Sequence, residues 1–367
     1  MNPTISNISE EKDVYKFTLS NINVSLANSL RRTILADIPT LAFYTDSYES
    51  NQCTIDVNTG RLHNEILKHR LSCIPIHMED TTQLPGNYML VVDMQNETDD
   101  MMMLTTEHFR IQNKSNGNFL TEAEMRKIFP PDPISNMFID FARLRPRIGD
   151  SIPGEHIKFT AEFSVHTAKE NSMFNVVSKC SYGNTLDATK VREVWDEQEA
   201  KLQGDGESKE DIEFQKRNFY ILDAQRHFVD DSFDFVLHTV GVFENKAIVK
   251  KACVVLINKM AKMAQELDSD LVPIFSSETT MDNCFDVILE EEDYTVGKVL
   301  EYILYEKYYV GEKLLTFCGF KKFHPHNSDS TIRLAYLQTA DKRTVALHMK
   351  DACTQANEVF QKIYKMF

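Results

Sequence analysis

The chain has 367 residues and a formal net charge of −15, from 40 basic and 55 acidic residues. Hydrophobic residues make up 42% and charged residues 26%, so the chain builds real cores and is not disordered; its length fits about two or three domains. The acidic balance speaks against a chain that works by coating nucleic acid and fits basic protein partners. The longest purely apolar run, 252–257, is far short of the ~20 residues a membrane helix needs. No basic region followed by an apolar stretch opens the chain, so no signal peptide is expected. Seven cysteines, at 53, 73, 180, 253, 284, 318 and 353, are odd in number and never closer than 20 positions. That spacing argues for a reducing compartment and against a disulfide framework.

In chain order, the first readable element is a strand over 14–19, where Tyr15, Phe17 and Leu19 alternate with polar residues. A helix over 25–38 follows. Leu26, Leu30, Ile34 and Ile38 recur every fourth residue on one face, Ser25 is placed to cap it and Pro39 to stop it. Arg31 and Arg32 fall mid-helix about 100° apart, so both cannot lie on the apolar face. Residues 50–227 are enough for an inserted domain. Within it, 157–165 alternates as a strand, Pro130, Pro131 and Pro133 break regular structure, and 204–211 reads as a solvated loop. A strand over 232–239 and a long helix carrying Val249, Cys253, Leu256, Met260, Met263 and Leu267 follow. Residues 268–280 read as a linker. Beyond it come a strand over 284–289, a helix over 295–304, a strand over 331–339 and a long helix carrying Val345, Met349, Cys353, Ala356, Phe360 and Ile363.

The two halves echo each other. Thr295 stands 270 positions after Ser25, and the same offset relates Val296 to Leu26, Leu300 to Leu30, Leu304 to Ile34 and Phe285 to Tyr15. Both long helices step by four and three, a seam that suits packing along another helix or against the helix's own sheet.

Most catalytic signatures are absent: no phosphate-binding glycine loop, no G-x-G-x-x-G, no G-x-S-x-G and no H-E-x-x-H occurs. Asp230, Asp231 and Asp234 have a magnesium-diphosphate spacing but run into a strand, where their carboxylates cannot align. His69, Cys73 and His77 could face one way on a helix, but Pro75 interrupts it and no fourth ligand is evident. Cys318, His324 and His326 cluster loosely. Arg143, Arg145 and Arg147 alternate as a contact for phosphate or an acidic protein, or as a solvated loop edge. Glu290, Glu291, Glu292 and Asp293 precede a helix, where carboxylates suit the dipole.

Asn28-Ser29-Leu30-Arg31-Arg32, with Ile34-Leu35 and Ile38-Pro39 behind it, resembles the signature helix of the alpha-like family of RNA polymerase components. The family comprises the bacterial alpha amino-terminal domain, the archaeal D protein and the third-largest component of RNA polymerase II. The segments 63–76 and 144–150 are similar to later runs of that family, in the expected order. Glu292-Asp293-Tyr294-Thr295-Val296-Gly297-Lys298-Val299-Leu300 and the segment 317–326 resemble the small partner, which is the archaeal L protein or the eleventh component of polymerase II. One chain carrying both resembles the fused polymerase component of large cytoplasmic DNA viruses.

The resemblance implies an α+β fold: two alpha-like, ferredoxin-like dimerisation units pair as an intramolecular pseudo-heterodimer, with a mainly β insert. The expected limits are 1–49 plus 228–267 for the first unit, 50–227 for the insert, 268–280 for the linker and 281–367 for the second unit. It implies a non-catalytic assembly platform of a DNA-directed RNA polymerase, with the two large catalytic subunits and small subunits as partners. DNA is met only through the complex, and no membrane is involved. Asn28, Arg31 and Arg32 are the expected docking residues. Leu26, Leu30, Ile34, Val296, Leu300, Leu304, Leu256, Met260, Ala356 and Phe360 are the expected pseudo-dimer packing. The expected location is the cytoplasm, at a viral factory with packaging in the virion, or the nucleus for a cellular chain. Some relatives carry a cysteine cluster in the insert. Here Cys180 stands alone, so no metal or other cofactor is expected. Two readings from other classes compete: a ligand-binding enzyme with a duplicated fold, which needs a pocket with convergent polar groups, and a pseudo-symmetric DNA-binding module, which needs a basic stripe.

Overall fold

The computed structural model describes residues 1–149, 151–277 and 281–367; Asp150 and the linker positions 278–280 lie outside the described residues. Chain order is β1 (Thr4–Glu11), β2 (Val14–Ser20), α1 (Val24–Ala36), β3 (Thr40–Ala42), β4 (Cys53–Asn58), α2 (Asn64–Ser72), β5 (Tyr88–Gln95), β6 (Met102–Thr105), β7 (Arg110–Asn113) and α3 (Glu122–Ile128). Then come β8 (Asp140–Leu144), β9 (His156–Glu162), β10 (Ser164–His166), β11 (Val177–Leu186), α4 (Ala188–Gly204), α5 (Lys209–Ile221), β12 (Phe228–Thr239) and α6 (Asn245–Asp268). The chain closes with β13 (Ile274–Ser276), β14 (Cys284–Leu289), α7 (Tyr294–Leu304), β15 (Leu315–Lys321), β16 (Ser330–Tyr336) and α8 (Lys342–Tyr364). This mixture of helices and antiparallel ladders is α+β.

The chain forms two compact units. The first gathers Met1–Thr33, Lys179–Leu237 and Val249–Phe367. It holds two four-stranded sheets, ordered β1-β2-β12-β11 and β13-β14-β16-β15. Each sheet reads the same way. An edge strand pairs with the strand that feeds a short helix, and the returning pair of strands feeds a long helix. The expected repeat is therefore present, and it includes strands that the pattern alone does not show. β1 is one: most of its residues are exposed, so it has no alternation to read. A break in register between Ser6 and Ser9, with Asn7 at φ 51°, interrupts this edge and blunts it as a template for further strands. β13 is another, formed inside the stretch expected to be only a linker and hydrogen-bonded to β14 from Ile274 to Ser276.

Residues 179–227, placed in the insert by the sequence reading, belong to this first unit. They supply most of β11 and the helical hairpin α4–α5, so the expected loop at 204–211 is only the turn between two helices. Ser208 starts the second helix by accepting the Asp211 N–H at 3.2 Å. The hairpin has its own small core of Val191, Trp195, Phe219 and Ala224.

The long helices α6 and α8 lie side by side and antiparallel. Lys250 sits over the Tyr364 ring, the Asn357 amide reaches the Ile257 carbonyl, and Lys350 pairs with Asp268 at 2.7 Å. As residue numbers rise on one helix they fall on the other. Leu256, Met260, Ala356 and Phe360 are fully buried along this pair. At the chain end, Phe367 closes edge-on against Phe17, 5.0 Å between ring centroids, and Phe17 stacks on Phe235 at 4.9 Å.

The second unit comprises Ile34–Ser178 and His238–Ile248. Its main sheet is β4-β9-β5-β7, with two-stranded ladders β10-β3 and β6-β8. Phe109, Phe141 and Phe159 meet at the centre of its core. The single strand expected over 157–165 is two: β9 pairs with β4 and β5, whereas β10 leaves after Phe163 to pair with β3. Alternation carries no mark of such a change of sheet. The short helix α3 is held at its start by a reciprocal cap between Thr121 and Glu124.

Candidate interaction site

The site is built around the first turns of α1 and α7. Asn23 starts α1: its side-chain oxygen accepts the Ser25 N–H at 2.8 Å. Asp293 starts α7 in the same way, accepting the Thr295 N–H at 2.8 Å. The caps are therefore Asn23 and Asp293, not Ser25 and Thr295, but they too are 270 positions apart. Ala36 ends α1 before Pro39 rather than at Ile38. Leu26, Leu30, Ile34, Val296, Leu300 and Leu304 are all buried. Burying a leucine or isoleucine side chain stabilises by about 1.5–3 kcal/mol, so these positions hold the two helices in place.

The three polar residues expected on α1 have different surroundings. Arg31 is half-buried and donates from Nε to the Asn28 side chain at 3.0 Å. Arg32 reaches across to the second half of the chain. Its Nη2 meets Asp293 at 2.7 Å and its Nε donates to the Thr295 hydroxyl at 2.9 Å. Beside it, Lys259 of α6 meets Glu292 at 3.3 Å. The acidic run before α7 therefore does more than suit a dipole: two of its members bind cations from the first half. Sequence reasoning missed Asp293 and Glu292 as partners; the 270-residue offset, extended back to Asn23, marks the first of them.

An open groove of about 590 Å³ is lined by Asn23, Ser25 and Asn28 of the α1 start, Tyr182 of β11, and Lys298, Glu301 and Tyr302 of α7. Tyr305 and Cys318 complete its far wall. Lys298 and Glu301 form an ion pair at 2.5 Å, three residues apart as Asn28 and Arg31 are. Burial first, and then the charges of Glu306 and Asp231, raise the Tyr302 hydroxyl above its ordinary value.

The motifs weighed for chemistry are dispersed. Asp234 accepts the Thr18 hydroxyl at 2.7 Å within the sheet. Arg145 pairs with buried Glu155, and Arg147 with Asp99 at 2.9 Å, so two of the three alternating arginines are engaged inside the second unit. His69 and Cys73 are exposed at the end of α2, while His77 is half-buried and its pKa is lowered by burial. Cys180 is buried, and burial pushes its thiol up to about 12. Among the described residues, no three His, Cys, Asp or Glu side chains gather as a metal-holding group. Among them also, no helix is long and apolar enough to cross a membrane.

The family model for the RNA polymerase Rpb3/Rpb11 dimerisation domain matches residues 16–260. The chain belongs to this family. The match takes in β2, α1, the whole second unit and most of α6; β14, α7, β15, β16 and α8 lie beyond it. Among curated relatives, the chain is 43% identical over 82 residues to the DNA-directed RNA polymerase II subunit RPB3 of Schizosaccharomyces pombe, covering 22% of this chain and 25% of that one. It is 42% identical over 71 residues to the DNA-directed RNA polymerase subunit Rpo3 of Methanosarcina acetivorans, covering 19% and 24%. A conjugation stage-specific protein of Tetrahymena thermophila is 37% identical over 116 residues, covering 31% and 32%. The chain thus spans a third or less of the length of each of these relatives.

Proposed function

We propose that this Rpb3/Rpb11-family chain is a non-catalytic assembly platform of a multisubunit DNA-directed RNA polymerase. Its two alpha-like halves pair within one chain as a pseudo-heterodimer, and the face at α1 docks the two large catalytic subunits. The observation that carries the reading is the duplicated four-stranded sheet with its two antiparallel long helices in one compact unit. The family match covers most of the first copy, without β1 and the end of α6, and the second copy repeats its strand order and the cap of its short helix. A small partner fused to its larger one supplies such a second copy, as the likeness to the fused polymerase components of large DNA viruses implies. Nucleotidyl transfer belongs to the partners, because the aspartates of 230–234 lie along a strand and serve the sheet.

On this reading Asn28 and Arg31 are the docking residues, and Arg32 joins the two halves. Mass spectrometry of the native complex, purified through this chain from cells making the two large subunits, tests the platform. The expected result is one copy of this chain with one of each large subunit. A chain that purifies without them contradicts the reading.

A further inference from the structure

A 270-residue offset relates the first strand and short helix of the two halves, and the contact that α1 makes with the start of α7 is not repeated in the opposite direction. On one side, Arg32 of α1 crosses to the start of α7 and binds Asp293 and Thr295. The quasi-equivalent contact would run from position 302 of α7 to positions 23 and 25 at the start of α1. There the chain has Tyr302 in place of arginine, and Asn23 and Ser25 in place of the aspartate and threonine. The groove of about 590 Å³ lies on that side, with Asn23, Ser25 and Tyr302 in its walls.

What lines the groove specifies what fills it. Tyr182, Tyr302 and Tyr305 bring three aromatic rings to its walls; Tyr305 is 40% exposed, and one face of its ring stacks on Tyr309 at 4.8 Å. Glu306 and Asp231 are exposed and lie close enough to Tyr302 to act on its hydroxyl. Of the cations at the groove, Lys298 is paired with Glu301 at 2.5 Å, and Arg31, close enough to Tyr182 to act on its hydroxyl, donates to Asn28. Aromatic faces with carboxylates nearby attract a guanidinium or ammonium group, and a chain of net charge −15 draws basic partners.

We propose that the groove receives an arginine or lysine side chain from a large polymerase subunit, seated where the arginine of the quasi-equivalent contact is missing. The inference rests on the platform reading and names the chemistry of its partner. The incoming cation meets the Ser25 hydroxyl and the Asn23 side chain, lies against Tyr302 and Tyr305, and is neutralised by Glu306 and Asp231. Docking is then one-sided: the Arg32 contact closes one side from within, and the partner closes the other.

The test uses the full chain and the two large subunits made with it. Tyr302→Arg fills the groove with the chain's own guanidinium and should lower affinity for the large subunits at least tenfold. A photo-crosslinking amino acid at Tyr305, in otherwise unchanged chain, should capture a large-subunit peptide carrying arginine or lysine at the crosslink. Unchanged affinity of a folded Tyr302→Arg chain overturns the inference and leaves the platform standing. So does a crosslink to a second copy of this chain, to a peptide without a basic residue, or to nothing while the large subunits stay bound. Failure of the unsubstituted chain to bind the large subunits overturns both.

Discussion

Arg31 and Arg32 are adjacent in sequence and different in consequence. The Arg32 guanidinium is about one-third exposed and its Asp293 partner about one-quarter, so the pair belongs with partly solvated ion pairs. A double-mutant cycle with Arg32→Ala and Asp293→Ala, read by urea unfolding, should give a coupling of about 0.5–1 kcal/mol. Asp293→Ala should cost about 1 kcal/mol more on its own account, since it also removes the α7 cap. Arg31 bonds to Asn28, its neighbour one turn back. Arg31→Ala should move stability by no more than about 0.5 kcal/mol and still weaken binding of the large subunits. A stability loss matching that of Arg32→Ala would make Arg31 a residue of the fold. The apolar stripe of α1 places both arginines beside it, but side-chain direction depends on what stands opposite, and Asp293 is 261 residues away.

His348 carries a pH dependence. Its ring stacks 4.0 Å from Tyr308, and its Nδ1 lies 3.0 Å from the Tyr336 hydroxyl. Burial lowers its pKa below 6.5, against the opposing charges of Glu312 and Asp351 and with that of Lys307. A histidine whose folded pKa is depressed contributes stability above its unfolded pKa and loses it as pH falls through the folded value. The urea midpoint should therefore drop as pH falls below about 6.5. His77, lowered in the same direction, adds to the drop. His348→Gln should make the drop smaller; an unchanged drop would remove His348 from this role.

At the scale of elements, α7 approaches β15 at Gly297. A Cβ there would stand 1.9 Å from the Phe320 ring, whose edge also meets Tyr294. Alanine is the better helix former by about 1 kcal/mol, yet Gly297→Ala should cost about 1–3 kcal/mol through overpacking. Combined with Phe320→Ala, the two losses should add to less than their sum. A neutral Gly297→Ala would show that the ring moves aside freely. Elements of strong period were legible in the sequence: β14, α7 and both long helices stand within a few residues of their expected limits. β1, β13 and the turn-and-pair strand β15 were not, because edge strands are exposed or short and lack alternation. The α4–α5 hairpin was hidden by its polar surface: only Val191 and Trp195 of α4 and Phe219 of α5 are buried. The 4,3 seam of α6 and α8 leaves helix or sheet as its partner; the contacts of Lys250, Ile257 and Asp268 with Tyr364, Asn357 and Lys350 run beside the seam rather than through it.

At the scale of the whole molecule, the duplication was legible because a fixed offset preserves the first strand and the apolar face of the short helix together. The groove was not, because it depends on where the duplicated halves differ after they are brought together. A short connection between two halves makes their pairing an intramolecular event with a high effective concentration. On the proposed pairing the halves meet through the Arg32–Asp293 and Lys259–Glu292 pairs, the contacts of α6 with α8, and Phe367 against Phe17. The pairing should hold without the connection. The direct measurement is to place a protease site after Asp270, beside exposed Leu271, in the full chain, fold it, cleave it and pass it through a sizing column under native conditions. Co-elution of the two fragments as one body is the expected result; their separation into independent species would contradict pairing of the two halves within one chain.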